Sequence, residues 1–196
     1  MKKKFGMTTG LLMIVVLLVS MAIGATGAKY VSQEQTAGQV TITADIGTIV
    51  LQESKANRQP SGAYTLDTAD PVAENSYVLI PGLDIPKDPH VVITKQDALP
   101  VYVYVEVVDG LTDPAVTYSL TKDWTHLDIT GPNGGMVYAY EKSVTESETI
   151  YILDNNTIYV SQELNLSGEV NLTFHAYMYQ AIAGKSADEV YQEFHK

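Results

Sequence analysis

In two segments of the second half of the chain, hydrophobic residues recur at every second position. In Val101–Val107 the four valines alternate with Tyr102, Tyr104 and Glu106, and in Val170–Tyr179 apolar side chains occupy every even-numbered position. Successive side chains of a β-strand point to opposite faces, so a period of two is typical of a strand with one buried face. Both segments are therefore predicted to be strands, with the valines of the first and the even-numbered residues of the second in the core.

Shorter runs rich in β-branched residues and tyrosine predict further strands, because such residues suit a pleated, half-buried surface. These predicted strands are Gln39–Leu51, Ser76–Ile80, His90–Thr94, Ala115–Leu120, Met136–Glu141, Thr149–Leu153 and Thr157–Val160. Clusters of Pro, Gly, Asn and Asp separate them, as in Gly131–Gly135, and are typical of turns. About nine strands at this spacing predict an all-β fold, a two-sheet antiparallel sandwich. The polar segment Glu53–Asp70 is predicted to be its main loop.

One helix is predicted at the C-terminus. Ser186 and Glu189 have the Ser-x-x-Glu spacing of a capping box, in which each side chain binds a backbone amide of the first turn. Val190 and Phe194 follow four residues apart, so they share one face of the helix. A helix this short is not stable alone, and we expect it to pack on the sandwich.

The first 28 residues have the three-part pattern of a secretory signal peptide. Lys2–Lys4 precede the apolar stretch Leu11–Ile23, and the small residues Gly24–Ala28 follow it. We expect cleavage before Lys29; the alternative is an uncleaved anchor, since residues 5–28 carry no charge and are long enough to span a bilayer. The chain is thus divided into a signal peptide (1–28), an N-terminal segment (29–38) and a sandwich domain (39–196), and the mature protein is expected to be secreted.

Composition then narrows the possible functions. After Ala28 the chain carries nine basic and 23 acidic residues, a formal charge of −14, whereas a nucleic-acid-binding protein needs a clustered basic surface. The chain has no cysteine, which excludes disulfides, thiolate metal sites and a cysteine nucleophile. We therefore expect no nucleic-acid partner, contact with a membrane only through the signal peptide, and a protein that is not an enzyme.

Few residues are candidates for chemistry. The sequence lacks the zincin pattern His-Glu-x-x-His, a nucleophile elbow and a phosphate-binding loop. Asp88 and His90 are two residues apart, as are His126 and Asp128, so on strands each pair would share a face and the four could converge on a metal. The favoured alternative is that they are exposed at loop edges, and that His175 is a sheet-surface histidine. We predict no catalytic residue, no cofactor and no metal site.

Tyrosine is the most unusual feature of the composition, with 13 residues. Six of them form alternating pairs in three predicted strands: Tyr102 and Tyr104, Tyr138 and Tyr140, Tyr177 and Tyr179. If these strands are neighbours, the pairs form an aromatic strip on one sheet face that could bind a carbohydrate or a protein. The alternative is cross-strand packing beneath the terminal helix or a loop, a common use of aromatic pairs.

Several short motifs point to one family. Tyr30 and Thr36–Gly38 follow the signal region, Ile80–Val91 contains a Pro-Gly turn before a strand, Val101–Val107 is the next strand, and Ala176–Phe194 is the predicted closing strand and helix. Together they resemble the TasA/camelysin family, proteins secreted by Gram-positive bacteria and released by the signal peptidase SipW. The resemblance implies a sandwich of jelly-roll type that assembles into extracellular fibres of a biofilm matrix. The implied partners are other copies of the chain and a SipW-type signal peptidase.

In that family the N-terminal segment of one subunit serves as a strand of the next. Carried over to this chain, the resemblance implies a donor segment made of Lys29, Tyr30, Val31, Ser32, Gln33, Glu34, Gln35 and Thr36. An open sandwich leaves an edge of unpaired amides and carbonyls that such a strand can complete, and a head-to-tail contact need not close into a ring.

Three hypotheses follow. The favoured one is a structural matrix subunit, and the second is a secreted or surface-tethered binding module that uses the tyrosine strip. The third is a metallopeptidase, since camelysin is described as one, but this sequence offers only Asp88, His90, His126 and Asp128 for such a site.

Overall fold

The computed structural model describes residues 31–34, 46–165 and 170–195. The predicted signal peptide and residues 35–45 lie outside these ranges. Within them the chain forms twelve strands and one α-helix. The elements are β1 Val31–Glu34, β2 Thr48–Arg58, β3 Tyr64–Val72, β4 Ile85–Pro86, β5 His90–Thr94, β6 Val101–Asp109, β7 Val116–Thr117, β8 Trp124–Thr130, β9 Met136–Tyr140, β10 Glu148–Tyr151, β11 Thr157–Val160, β12 Leu172–Gln180 and α1 Ala187–Phe194.

The strands form three antiparallel sheets. A five-stranded sheet has the order β1-β12-β6-β9-β8, a four-stranded sheet has the order β10-β5-β2-β3, and a small sheet joins β4, β11 and β7. The first two sheets pack face to face, because buried residues of β2 and β5 share one apolar cluster with those of β6 and β12. The predicted all-β antiparallel sandwich with a short C-terminal helix is confirmed. The small third sheet is an addition that the sequence did not predict.

The alternation in β6 and β12 has the predicted orientation. Val103 lies opposite Met178 and Val105 opposite Ala176, and all four are fully buried in the core. The other face of the same two strands carries tyrosine, Glu106 and His175. The five-stranded sheet therefore buries both of its faces, one against the second sheet and one beneath α1.

Two of the strands predicted from runs of β-branched residues are confirmed. His90–Thr94 and Thr157–Val160 are strands with the predicted bounds. The predicted strand Ser76–Ile80 is wrong, since only Ile80 in it makes an isolated bridge, to Leu83.

The predicted loop Glu53–Asp70 is also wrong. It contains the hairpin of β2 and β3, whose turn is closed by the amide of Gln59 donating to the carbonyl of Ala63 at 2.7 Å. Residues 48–52 of β2 pair with β5, whereas residues 53–58 pair with β3. This outer half of the hairpin is largely exposed, so its sequence is polar and does not alternate.

The C-terminal helix begins at the predicted capping box. The backbone amide of Ser186 donates to Oε2 of Glu189 at 2.9 Å, and the Ser186 hydroxyl donates to the same atom at 2.9 Å. Val190 and Tyr191 are buried against the outer face of the five-stranded sheet. Of the helices in the described residues, none is long and apolar enough to cross a membrane.

Candidate functional site

The N-terminal strand β1 forms one edge of the five-stranded sheet. It runs antiparallel to β12, with Val31 opposite Tyr179 and Glu34 opposite Ala176. Among the described residues β1 pairs with β12 alone, so without it the whole of Leu172–Gln180 would be an edge strand. Antiparallel pairing uses backbone amides and carbonyls, which every copy of the chain can supply. The remaining predicted donor residues lie outside the described ranges: Lys29, Tyr30, Gln35 and Thr36.

A cluster of aromatic rings joins α1 to the outer face of the five-stranded sheet. The ring centroids of Tyr104 and Tyr191 are 5.1 Å apart, and Phe194 stacks on Tyr179 at 4.6 Å. The ring centroid of Tyr177 is 6.4 Å from that of Tyr179 and 6.1 Å from that of Tyr191. The side chains of Tyr104, Tyr177 and Tyr179 are at most 2% exposed. This tyrosine cluster is the surface on which the helix packs.

Three of the tyrosine hydroxyls bind the C-terminal segment that contains α1. Tyr104 donates to the carbonyl of Ala187 at 2.7 Å, and the half-buried Tyr102 donates to the carbonyl of Lys185 at 3.3 Å. The Tyr179 hydroxyl is 2.6 Å from Nε2 of His195. Each of these bonds attaches α1 or its flanking residues to the sheet.

The six tyrosines of the predicted strip do not lie on one face. The three strands are neighbours as expected, but β9 pairs with β6 so that Ala139 lies opposite Tyr104 and Tyr138 lies opposite Val105. Tyr138 and Tyr140 consequently point into the core between the two sheets, away from the tyrosine cluster. The predicted strip is therefore divided. Four of its tyrosines lie on the face that carries α1, and Tyr138 and Tyr140 lie on the core face.

A buried carboxylate lies at the side of the tyrosine cluster. Glu106 has no exposed surface, and its Oε1 accepts hydrogen bonds from the amides of Asn133 and Gly135, each at 2.8 Å. Its Oε2 accepts from Tyr177 Oη at 2.6 Å and from Asn133 Nδ2 at 2.9 Å. Glu106 thus attaches the turn between β8 and β9 to the sheet face on which α1 packs.

The turn that holds Glu106 can approach it closely because its ends are glycines. A Cβ added to Gly131 would lie 2.3 Å from Cδ of Glu106, and one added to Gly135 would lie 2.4 Å from the carbonyl oxygen of Val107. Any side chain at either position would push the turn away from β6. The predicted turn Gly-Pro-Asn-Gly-Gly is therefore also the part of the chain that encloses this carboxylate.

Burial shifts the pKa values of the ionisable side chains in this region. It raises the pKa of the Tyr104, Tyr177 and Tyr179 hydroxyls far above the usual 10, so these groups stay neutral. Burial also tends to raise the pKa of Glu106, but the hydrogen bonds from Tyr177, Asn133 and Gly135 outweigh it and lower the pKa below 4.5. Glu106 therefore remains charged. Burial lowers the pKa of His175, which faces Glu106 across the strand pair, and Glu106 opposes that shift only in part.

The residues considered for a metal site are in separate, satisfied contacts. Asp88 and His90 are buried rather than exposed as expected; Asp88 accepts from the amide and hydroxyl of Ser54 at 2.8 and 2.6 Å. His126 lies at the surface, with Nδ1 3.1 Å from Asp128. Within the part of the chain that the structure describes, no group of three or more such residues is arranged to hold a metal ion.

A cavity of about 580 Å³ lies where β2, β4 and the first residues of β12 meet. Polar and apolar groups line it in about equal measure, and the apolar side chains include Leu51, Ile85 and Phe174. Lys87 and Glu53 also line it as a buried ion pair, 2.6 Å apart. The two buried charges pair with each other, so this mixed wall indicates no single class of ligand.

Comparison with known proteins gives no relative to guide interpretation. No family model matches the chain, and no curated protein or solved structure matches it significantly. Function is therefore inferred from the edge strand, the tyrosine cluster and the contacts of Glu106.

Proposed function

We propose that this protein is a secreted structural subunit of extracellular biofilm-matrix fibres, in which the N-terminal segment of one copy becomes the edge strand of the next. The observation that carries the proposal is the pairing of Val31–Glu34 with β12. In a single copy this strand occupies its own sheet edge. In a fibre the same edge of β12 receives the strand of a neighbouring copy, in the same antiparallel register.

The position of β1 supports such an exchange. It stands at the edge of its sheet, near one end of the chain, and within the described residues it pairs with one strand only. Leaving β12 costs the backbone hydrogen bonds of a four-residue strand, and those bonds are restored when the strand of another copy binds. After exchange, each subunit donates its β1 to one neighbour and accepts the β1 of another neighbour at its β12 edge. Such a contact is head-to-tail, so it can extend into a filament.

The alternatives have less support. A binding module based on the tyrosine strip needs exposed rings, whereas Tyr104, Tyr177 and Tyr179 are covered by α1. A metallopeptidase needs a cluster of ligands, and His90 and His126 are engaged in separate contacts with Asp88 and Asp128. The fibre subunit is the function that the arrangement of strands favours.

Deletion of the N-terminal segment tests the proposal. We expect mature protein lacking residues 29–36 to keep a β-rich circular dichroism spectrum, because β12 remains paired with β6 on its other side and the other strand pairs do not involve β1. We also expect it to form no filaments in negative-stain microscopy or light scattering. Filaments as abundant as those of the intact mature protein would contradict donor-strand assembly.

A disulfide provides a sharper test, because the chain has no cysteine of its own. Glu34 and Ala176 lie directly opposite each other, at a spacing of about 4.5–5.5 Å between Cα atoms that a disulfide can bridge. In the double variant Glu34→Cys/Ala176→Cys, oxidation of monomer should lock the strand on its own sheet and block elongation, and reduction should restore it. Oxidation after assembly should instead join different copies, giving a ladder on a non-reducing gel.

The two single-cysteine variants are the matched controls, and both should assemble regardless of redox state. If the oxidised, internally bridged monomer elongates as well as the reduced protein, the strand is not exchanged and the proposal is wrong.

A further inference from the structure

Asn133 is the one asparagine in the chain that precedes a glycine. An asparagine side chain is susceptible to attack by the following backbone amide, and glycine favours this reaction because it has no side chain to obstruct it. In this structure Asn133 also binds the buried carboxylate of Glu106 through both its backbone amide and Nδ2. The reactive Asn-Gly dipeptide therefore includes the residue that binds the turn to Glu106.

We propose that Asn133 is a site of spontaneous deamidation that the contacts with Glu106 and Tyr177 hold unreactive, so that deamidation follows opening of the turn and then prevents its closing. The substrate is the chain itself, and the second reactant is water. Deamidation of Asn133 would thus be an irreversible consequence of opening of the β8–β9 turn.

The reaction balances without any other component. The backbone nitrogen of Gly134 attacks Cγ of Asn133 and forms a five-membered succinimide, while the Cγ–Nδ2 bond breaks and ammonia leaves with the proton of the Gly134 amide. Water then opens the ring at either carbonyl and yields aspartate or isoaspartate. Asparagine plus water gives the acid plus ammonia, and no oxidant or cofactor is needed.

The folded turn opposes the first step at both reacting groups. Nδ2 of Asn133 donates to Glu106 Oε2 and to the Tyr177 oxygen, each at 2.9 Å, so the carboxamide cannot rotate toward the backbone. The nucleophile is also engaged, since the Gly134 amide donates to the carbonyl of Gly131 at 3.0 Å. Both sets of bonds must break before nitrogen and carbon can meet. Asn133 itself lies at the surface, so water is available once they do.

The product cannot return to the same place. A carboxylate at residue 133 would replace the Nδ2 donor with a negative charge beside Glu106, which is itself charged and buried. Two carboxylates at hydrogen-bond distance repel each other strongly and cannot both remain ionised there, so closing the turn on the product would require one of them to take up a proton. An isoaspartate adds a further backbone atom to a turn that already fits closely against β6. Either product therefore holds the turn open.

Peptide mapping measures the reaction directly. Trypsin releases residues 123–142, a peptide with Asn133 as its one asparagine and with no glutamine, so a gain of one mass unit identifies the site. At neutral pH we expect deamidation in the folded mature protein to be at least about tenfold slower than in the isolated peptide, because opening a closed segment is a rare event. Equal rates in protein and peptide would overturn the proposed protection.

A matched pair of variants separates the local contact from general stability. Tyr177→Phe removes one acceptor of Nδ2 and should accelerate deamidation about fivefold, the factor expected for one net hydrogen bond. Tyr104→Phe also removes a hydroxyl bond of the tyrosine cluster but does not contact Asn133, and it should leave the rate unchanged. Equal acceleration in both variants would show that global unfolding, and not the contact, controls the site.

The effect of the product is tested with two substitutions of the same residue. Asn133→Asp and Asn133→Ala both lose the Nδ2 donor, but only the first adds a charge beside Glu106. We expect Asn133→Asp to unfold at lower urea than Asn133→Ala. If it is equally or more stable, the claim that deamidation prevents closing is wrong; should either variant fail to fold, the rate measurements on Tyr177→Phe still decide the first claim.

Discussion

Truncation of the buried Glu106 carboxylate should be the most damaging single change on the helix-bearing face. Glu106→Ala removes the acceptor of the Gly135 amide, the Tyr177 hydroxyl and both Asn133 donors. Gly135 and Tyr177 are buried, so water cannot easily replace the lost bonds there. The donors of Asn133 are nearer the surface and can turn toward solvent.

The magnitude follows from this difference between buried and exposed donors. Each buried donor left without an acceptor costs about 1–3 kcal/mol, and hydrogen bonds to a charged group contribute more than neutral ones. With two such donors and two that water can satisfy in part, we expect Glu106→Ala to lower the free energy of unfolding by about 3–5 kcal/mol. That is a large share of the about 5–15 kcal/mol that stabilises a typical domain.

The matched control is Glu106→Gln, which keeps the shape and one carbonyl oxygen. If that oxygen faces the amides of Asn133 and Gly135, the loss should be only about 1–2 kcal/mol. Urea unfolding can be followed by the fluorescence of Trp124, the single tryptophan, which is buried in the core. A loss below about 1 kcal/mol for Glu106→Ala, or equal losses for both variants, would refute this account of the carboxylate.

The same carboxylate makes a prediction about acid. Because its folded pKa lies below the usual 4.5, its stabilisation is complete above that value and is lost as the pH falls through the folded pKa. The intact protein should therefore lose stability on acidification in this range, and Glu106→Gln should remove that part of the loss. An unchanged acid profile in Glu106→Gln would show that other groups cause it.

Three further predictions concern other contacts. Ser186→Ala breaks the capping box and should cost about 1 kcal/mol, with faster amide hydrogen exchange in α1; unchanged exchange would contradict the role of the cap. Lys87→Met leaves the buried Glu53 unpaired and should cost about 3–5 kcal/mol in urea unfolding, whereas Lys87→Met/Glu53→Leu should recover most of that loss. Burial lowers the pKa of His175 below 6.5 despite the opposing charge of Glu106, so its contribution is present above 6.5 and is lost as the pH falls; His175→Gln should reduce the drop in melting temperature between about pH 7.5 and about pH 5.

The parts of the fold that the sequence predicted are those with a local physical signal. The alternation in Val101–Val107 identified both the strand and its buried face, and Ser186 with Glu189 identified the start of the helix. The hairpin of β2 and β3 has no such signal in its outer half, because it projects beyond the sandwich and buries little. Strand β8 was missed because its pairing with β9 shifts around Asp128, a bulge with a φ of 54° that breaks the period of two.

The candidate site was harder to predict because it depends on register. Tyrosine suits either face of a sheet, being apolar along its ring and polar at its tip, so the pair Tyr138 and Tyr140 gave no indication of the face it would occupy. A shift of one residue in pairing moves every side chain of a strand to the opposite face. Glu106 does carry a signal in the sequence: a lone carboxylate inside an apolar strand requires donors, and the glycine-rich turn at 131–135 supplies them.

The two ends of the chain play opposite parts in the proposed assembly. Helix α1 has only eight residues, too few to persist alone, so its position depends on the rings of Tyr104, Tyr177 and Tyr179 beneath it. Detaching it would expose three large aromatic side chains, each of which buries about 150–250 Å². Detaching β1 would break the backbone pairing along one edge of β12, and an identical strand from another copy can restore that pairing. If copies assemble by exchange, the physical cost therefore favours the N-terminal strand over the C-terminal helix as the exchanged element.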